Sequence, residues 1–319
     1  MPRALITGIG GQDGSYLAEL LSARGYEVHG TVRPGSRAPV AESVGAVIHE
    51  LDLASGCREL VHEVRPDELY NLAAVSSVQR SWDDPVTTAR VNGLLVGELL
   101  AASRELDAAG SPVRFVQASS AEVFGTAPVS PQDEETPIRP VSPYGASKAY
   151  GHHLVGVYRA GGLFATSCVL FNHESPRRPE TFVTRKITRA AARISLGLQR
   201  RLELGNLEAR RDWGWAPDYA DALHRAAVAD DPGDFVVATG RAHSVEDFLT
   251  LAFERAGIGD WRRHVDVSAS LARPADPAEQ VGDASKAHRE LGWRPTKSFE
   301  EVVAAMVDAD LDLARGSAP

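Results

Sequence analysis

Ala4-Leu5-Ile6-Thr7-Gly8-Ile9-Gly10-Gly11-Gln12-Asp13-Gly14-Ser15-Tyr16-Leu17-Ala18-Glu19-Leu20-Leu21 joins a short apolar run, three glycines at a spacing of three, and an amphipathic stretch. The apolar run predicts a strand. Leu17, Leu20 and Leu21 share one face of a predicted helix over 15–24, which Gly25 stops. Between these elements Gly8 permits a tight turn, Gly11 lets the backbone approach a pyrophosphate, and Gly14 lets helix and strand pack closely. The free N–H groups of the helix then face the phosphates. A glycine triplet alone is a weak signal. Between a strand and a helix, at the head of a crossover series, it marks a dinucleotide site.

Outward from this turn, strands are predicted at 27–32, 47–50, 68–72, 114–118 and 164–170, with helices at 55–64, 86–107 and 143–160. Strands alternating with helices require crossover connections and a parallel sheet covered on both faces. The fold class is α/β, a doubly wound Rossmann sheet over about residues 1–170, with some later segments returning to it. Beyond residue 170 helices are predicted at 185–196, 219–229, 245–255 and 299–313, with a strand at 235–238 and prolines in the loops. Residues 171–319 form mainly a smaller mixed lobe, a natural place for substrate specificity.

Composition narrows the function classes. The chain has 319 residues, 43% hydrophobic and 24% charged, with a formal net charge of -9. No Lys/Arg run is long enough for a nucleic-acid stripe. The pairs Arg177-Arg178 and Arg210-Arg211 suit a phosphorylated small molecule or a solvated surface. Cys57 and Cys168 are two ordinary thiols, with no disulfide framework and no metal-ligand spacing. No apolar stretch reaches the roughly 18–20 residues of a membrane span. The chain enters a strand at once, without a leader, so the expectation is a cytoplasmic protein with neither membrane nor nucleic-acid partner.

The end of the second strand chooses the dinucleotide. An acid there would bind a ribose 2′-hydroxyl, an arginine a 2′-phosphate. Thr31-Val32-Arg33-Pro34-Gly35-Ser36-Arg37 has no acid before Glu42, so Arg33 favours NADP, with NAD the alternative. Asp52, at the end of the third strand, is placed to bind the adenine or to cap the next segment.

Tyr144 and Lys148 stand four apart on one helix face. A nearby ammonium lowers a phenol's pKa and makes Tyr144 a usable base. Lys148 can also hold the nicotinamide ribose. Ser120 lies at the carboxyl edge of the strand 114–118, where ligands of open parallel sheets bind, and can hydrogen-bond the same substrate oxygen. Ser119 reads as structural or as a cofactor contact. Glu122 should face the same cleft. Oxidising a sugar carbon to a ketone acidifies the neighbouring C–H, and a carboxylate there can remove that proton and drive loss of water from the next carbon.

These residues sit in longer matching strings: TGIGGQDGSYLAELL from Thr7, YNLAAVSSVQRSWDDPV from Tyr70, QASSAEVFG from Gln117, SPYGASKAYGH from Ser142, LFNHESPRRPETFVTRKI from Leu170, LGNLEARRDWG from Leu204, and LGWRP at Leu291. With them the chain resembles the extended short-chain dehydrogenases/reductases, and within these the GDP-mannose 4,6-dehydratases, over nearly its whole length. The resemblance implies that Ser120 binds the hydroxyl being oxidised, Glu122 is the proton-abstracting base, and Tyr144 and Lys148 are the oxidation pair. It places Gln12, Asp13, Leu53, Leu72, Ala73 and Ala74 at the dinucleotide, and Ser76, Asn172 and Glu174 at the nucleotide sugar. Lys186 and Arg211 fall at diphosphate contacts and Arg273 near a ribose or diphosphate contact.

Some residues depart from the family pattern. Ser120-Ala121-Glu122 stands where Thr-Ser-Glu is usual, so Ala121 lacks a hydroxyl beside the base. Val75 and Ser77 replace Gln and His at the floor of the sugar site. Pro34 replaces a second arginine in a shorter loop that in the family helps build a tetramer. The leading expectation is a nucleotide-sugar 4,6-dehydratase holding NADP. A 4-epimerase using the same 4-keto intermediate and a 4-keto sugar reductase are alternatives. A homodimer through the helices 86–107 and 143–160, or a homotetramer, is the expected assembly.

Overall fold

The computed structural model describes residues 1–268, 271 and 277–316. The chain begins β1 (Arg3–Thr7), α1 (Gln12–Ala23), β2 (Glu27–Val32), α2 (Pro39–Ser43), β3 (Val47–Glu50), α3 (Arg58–Val64) and β4 (Glu68–Asn71). It continues through α4 (Val78–Asp83), α5 (Pro85–Ala89), α6 (Leu95–Ala108), β5 (Arg114–Ser120), α7 (Pro143–Ala160) and β6 (Ala165–Leu170). Seven parallel strands form one sheet in the order β3-β2-β1-β4-β5-β6, with β10 (Asp234–Val237) as the last.

Strand alternation sorts the core. Ala4, Ile6, Val116 and Cys168 point to a cluster with Leu17 and Leu21 of α1 and with Tyr219 and Leu223. Leu5, Phe115 and Ala165 point the other way, against Leu99, Leu100 and Val155. Every residue of β6 is buried, as expected of a strand covered on both faces. Each fully buried Leu or Phe contributes about 1.5–3 kcal/mol. The strand order reverses between β1 and β4, and ligands of such sheets bind outside the carboxyl ends at that switch point. The glycine turn, the loop after β4 and the end of β5 all lie along that edge.

The second part interleaves with the first. After β7 (Asn172–Glu174) come α8 (Val183–Ser195), β8 (Leu202–Leu204), β9 (Arg210–Trp215) and α9 (Ala216–Ala227), and then β10. Helix α9 packs on α1, and β10 pairs with β6. The rest comprises β11 (Ala242–Ser244), α10 (Val245–Arg255), β12 (Val265–Val267), β13 (Glu279–Gln280), α11 (Ser285–Glu290) and α12 (Phe299–Gly316). Helices α8, α10 and α12 close a separate core around Trp213, Phe248 and Phe299. Strands β7, β11 and β13 all pair with β9 in a small mixed sheet. Short strands of two to six residues carry too little periodicity to read from sequence. No described helix is long and apolar enough to cross a membrane.

The predicted helix 86–107 is three pieces: α5, a π-turn at Arg90–Leu94, and α6. The widened turn presents Asn92, whose Oδ1 accepts from the Val75 N–H at 2.8 Å and whose Nδ2 donates to the Val75 carbonyl at 3.1 Å. It thus pins the loop after β4. A Cβ on Gly93 would stand 3.1 Å from the Tyr150 ring, so this glycine lets α7 pack closely. Strand β5 runs two residues further than predicted and includes Ser120.

Candidate active site

Gly8 has φ +72°, and a Cβ there would meet the Ala73 Cα at 2.9 Å. The loop after β4 is therefore pressed against the glycine turn. The Thr7 Oγ1 holds it there, accepting from the Leu72 and Ala73 N–H groups at 3.1 Å each. Ala74 follows, half-buried. Gly11 is the extended N-cap of α1 and offers no side-chain cap, so the first N–H groups of α1 are donors for a ligand. A dinucleotide's diphosphate fits this cradle. At Gly14 a Cβ would lie 2.5 Å from the Gly8 carbonyl oxygen and 2.7 Å from the Ile9 Cα, both backbone atoms. Gly14→Ala is therefore expected to cost about 1–3 kcal/mol of stability and to weaken dinucleotide binding, checked by thermal melting and by titration with NADP.

The loop after β2 is where the sequence leads one to expect a 2′-phosphate contact. Arg33 is exposed after β2, whereas Arg37 is ion-paired with Glu42, whose carboxylate also accepts from the Ala38 N–H. Asp52 is exposed and caps the turn at 53–55, accepting from the Ala54 N–H at 3.0 Å. Half-buried Leu53 follows it.

At the end of β5 the turn Ala121–Val123 carries Glu122 between buried Ala121 and buried Val123. The Ser120 hydroxyl caps this turn, accepting from the Glu122 N–H at 3.3 Å. Helix α7 starts with Ser142 as its cap and reaches the turn because Gly145 has no side chain. A Cβ there would stand 2.5 Å from the Glu122 carbonyl oxygen. Tyr144 is held from behind by the buried Ser81 hydroxyl, which accepts from its N–H at 3.1 Å. Ser120, Glu122 and Tyr144 are thereby brought together. The Ser119 hydroxyl is buried without a partner among the described residues. Lys148 donates to the Ala118 carbonyl at 2.8 Å, and its Nζ lies 6.0 Å from the Tyr144 ring centre.

The resting charges differ from the expectation that Lys148 lowers Tyr144. Burial dominates and pushes the Tyr144 phenol up to about 12. The Ser120 hydrogen bond pulls it down, and the Glu122 charge pushes it further up. Burial also pulls Lys148 down to about 8, against the attraction of Asp13. At neutral pH the resting pair is a neutral phenol and an ammonium.

Gln12 and Asp13 reach across to β7. Gln12 Nε2 donates to the His173 carbonyl at 3.1 Å, and Ser175 donates to Gln12 Oε1 at 2.8 Å. Asp13 Oδ2 pairs with His173 Nε2 at 2.9 Å, and the imidazole stacks on Tyr219 with ring centres 4.3 Å apart. Burial pushes the Asp13 carboxyl up, but the His173 charge and hydrogen bond overcome it and hold it below the usual range. Both side chains thus lock the turn to the second part of the chain. His173 was legible only as one letter of the FNHESPRR string.

On the opposite side the expected substrate contacts divide. Asn172 opens β7, half-buried beside the cleft, and Ser76 is exposed in the loop after β4. Glu174 is engaged by partners within the protein. It is buried, accepts from Thr184 at 2.6 Å and pairs with Arg178 Nε at 3.2 Å. Its place is behind Arg178, whose charge reaches Tyr144. Lys186 on α8 donates to the Glu203 carbonyl at 2.6 Å. Arg211 is buried on β9 and donates to the Pro277 carbonyl at 2.9 Å. Arg273 lies outside the described residues.

Known proteins resemble this chain over nearly its whole length. The family model described as GDP-mannose 4,6 dehydratase matches residues 5–306. GDP-mannose 4,6 dehydratase 2 of Arabidopsis thaliana is 47% identical, over 98% of this chain and 87% of its own. The GDP-mannose 4,6 dehydratase of Homo sapiens is 43% identical, over 98% of this chain and 92% of its own. Among solved structures, UDP-glucose 4-epimerase of Thermus thermophilus, in complex with NAD, superposes with a TM-score of 0.85 at 30% identity. That match covers 99% of this chain and all of the epimerase. By glycine turn, site and full-length match, the chain belongs to the GDP-mannose 4,6-dehydratase family.

Proposed function

We propose that this chain dehydrates GDP-mannose, or a close nucleotide-sugar relative, to the 4-keto-6-deoxy sugar, holding NADP as its resident dinucleotide. The observation that carries the reading is Glu122 on the turn that also presents Ser120, packed against the start of the helix bearing Tyr144. A bound nicotinamide would supply the oxidant, accepting hydride from carbon 4 and returning it to carbon 6. Tyr144 takes the proton of the 4-hydroxyl, with Ser120 hydrogen-bonding the same oxygen. The Lys148 ammonium holds the ribose and favours the phenolate. Glu122 removes the proton from carbon 5, next to the new ketone, and gives it to the hydroxyl of carbon 6, which leaves as water. On hydride return carbon 5 takes up a solvent proton, and Tyr144 releases the proton of the 4-hydroxyl to solvent. The sugar ends one water lighter, with the dinucleotide unchanged.

Exposed Arg33, with no acid facing it on its loop, supports NADP over NAD. Asn172 and Arg211 are assigned to the nucleotide sugar, and Glu174 to holding Arg178. Residues 1–170 with α9 and β10 form the dinucleotide-binding unit, and the remainder the substrate lobe. Exposed Val86, Leu94, Tyr150 and Val157 on α5, the π-turn and α7 support pairing of two copies through these helices. Two buried free thiols suit a reducing compartment such as the cytoplasm.

The test is to incubate the protein with GDP-mannose, without added NADPH, and weigh the product. Loss of one water is expected. An altered sugar at unchanged mass would establish 4-epimerisation instead, the reading that Ala121 and the altered sugar floor at Val75 and Ser77 favour.

A further inference from the structure

Gln280 is a buried amide at the back of the catalytic turn, only 2% exposed. Its Nε2 donates to the Ala121 carbonyl at 3.4 Å, and its Oε1 is buried without a partner among the described residues. An amide with an unmet acceptor is a costly choice for a dry position, because an apolar side chain of the same shape would leave nothing unsatisfied. Its backbone is held firmly. Gln280 is the last residue of β13 and pairs in register with Arg211. The next residue, Val281, donates to Gln132 Oε1 at 3.1 Å and accepts from the Gln132 N–H at 2.8 Å. Gly282 donates to buried Asp212 at 3.4 Å and has no room for a Cβ, which would meet Ala238 and the Phe171 ring. The amide is therefore delivered under residue 121 by a rigid segment.

Ala121 brings no side-chain hydroxyl of its own to the turn. Ser120 Oγ tethers the turn at the Glu122 N–H, and the Arg139 N–H holds the Val123 carbonyl at 3.0 Å. Gln280 Nε2 adds a side-chain donor to the Ala121 carbonyl, which also accepts from the Phe124 N–H at 3.1 Å. We propose that Gln280 is a positioning residue for Glu122: through the Ala121 carbonyl it sets the angle at which the carboxylate meets the carbon-bound proton. This rests on the reading of Glu122 as the base. It also makes the small sheet around β9 part of the catalytic support, since the strand that carries Arg211 places Gln280 beside it.

Gln280→Leu tests this by separating stability from catalysis. Removing an unsatisfied buried amide is expected to leave the melting temperature unchanged or raise it. A misaimed carboxylate is expected to lower kcat by roughly 10- to 100-fold. KM for GDP-mannose and the affinity for NADP should stay within about twofold, since neither surface is touched. Because oxidation at carbon 4 precedes the slowed step, the near-ultraviolet absorbance of reduced nicotinamide should build up during turnover. Gln280→Glu keeps the shape but sets a carboxylate against a carbonyl oxygen, and should be slower than Gln280→Leu. A Gln280→Leu protein that turns over like wild type without that absorbance overturns the proposal. So does a kcat that falls only in step with the melting temperature. If Glu122→Gln dehydrates normally, the reading of the base falls and this proposal with it. If only Gln280→Leu is normal, the base stands and the positioning role alone is lost.

Discussion

Tyr144→Phe is expected to lower kcat for dehydration by about two to four orders of magnitude, the usual worth of a positioned acid–base group. That is roughly 3–5 kcal/mol of barrier. The fold should not notice. The ring keeps its packing, and the contact that fixes the start of α7 is the Tyr144 N–H to Ser81, which a phenylalanine retains. NADP affinity should also hold, because Lys148 is anchored on the Ala118 carbonyl independently of the phenol. The pH profile of the wild-type protein follows from the same two groups. Tyr144 must lose a proton to act, and burial has pushed its phenol up to about 12. Lys148 must keep its proton, and burial has pulled it down to about 8. Below about 8 each unit of pH raises the phenolate population tenfold while the ammonium persists, so kcat/KM rises. Above about 8 the gain in phenolate is matched by loss of ammonium, and the curve flattens. Rate profiles of wild type, Tyr144→Phe and Lys148→Met check this. In the lysine variant the break near 8 should disappear, and a break that stays there would assign it to another group.

The elements that could be read from sequence are those whose signal is local. The glycine turn announces itself because Gly8 and Gly14 satisfy steric demands made within eight residues, although the contact of Gly8 with Ala73 was hidden. The seven-stranded sheet follows from runs such as Ala165–Leu170, buried throughout. The Tyr144–Lys148 pair follows from helical spacing. What could not be read depends on contacts between distant segments. The π-turn at Arg90–Leu94 exists because Asn92 reaches back to Val75, and a helical pattern contains no trace of that. His173 matters through Asp13, 160 residues earlier. Gln280 matters through Ala121, 159 residues earlier. Glu174 sits in a family string, and its burial against Arg178 and Thr184 becomes visible only in the fold. The resting phenol escapes the sequence for a related reason. Spacing places Lys148 near Tyr144, but the dehydrating effect of the surrounding protein outweighs the charge, and burial is a property of the whole fold.

Glu122→Gln should abolish dehydration while sparing oxidation, and the two steps can be read separately. Glutamine matches glutamate in shape, so the turn, its Ser120 cap and its contact with Gly145 survive. It cannot accept the proton of carbon 5. Loss of a positioned base is again worth about two to four orders of magnitude in kcat. In deuterated water the wild type should place solvent deuterium at carbon 5 of the product, and the variant should place none in recovered substrate. The nicotinamide absorbance on mixing should nevertheless rise, because Tyr144, Lys148 and Ser120 are untouched. A second signature separates this from general damage. The Glu122 charge is one of the forces that raise the Tyr144 phenol, so removing it lowers the phenol's pKa. The oxidation step in Glu122→Gln should therefore reach a given rate at lower pH than in wild type, whereas a merely distorted site would slow at every pH. A variant that still loses water at the wild-type rate would move the base away from Glu122. One that interconverts sugars at constant mass would mark the chain as an epimerase that keeps the family's carboxylate for another purpose.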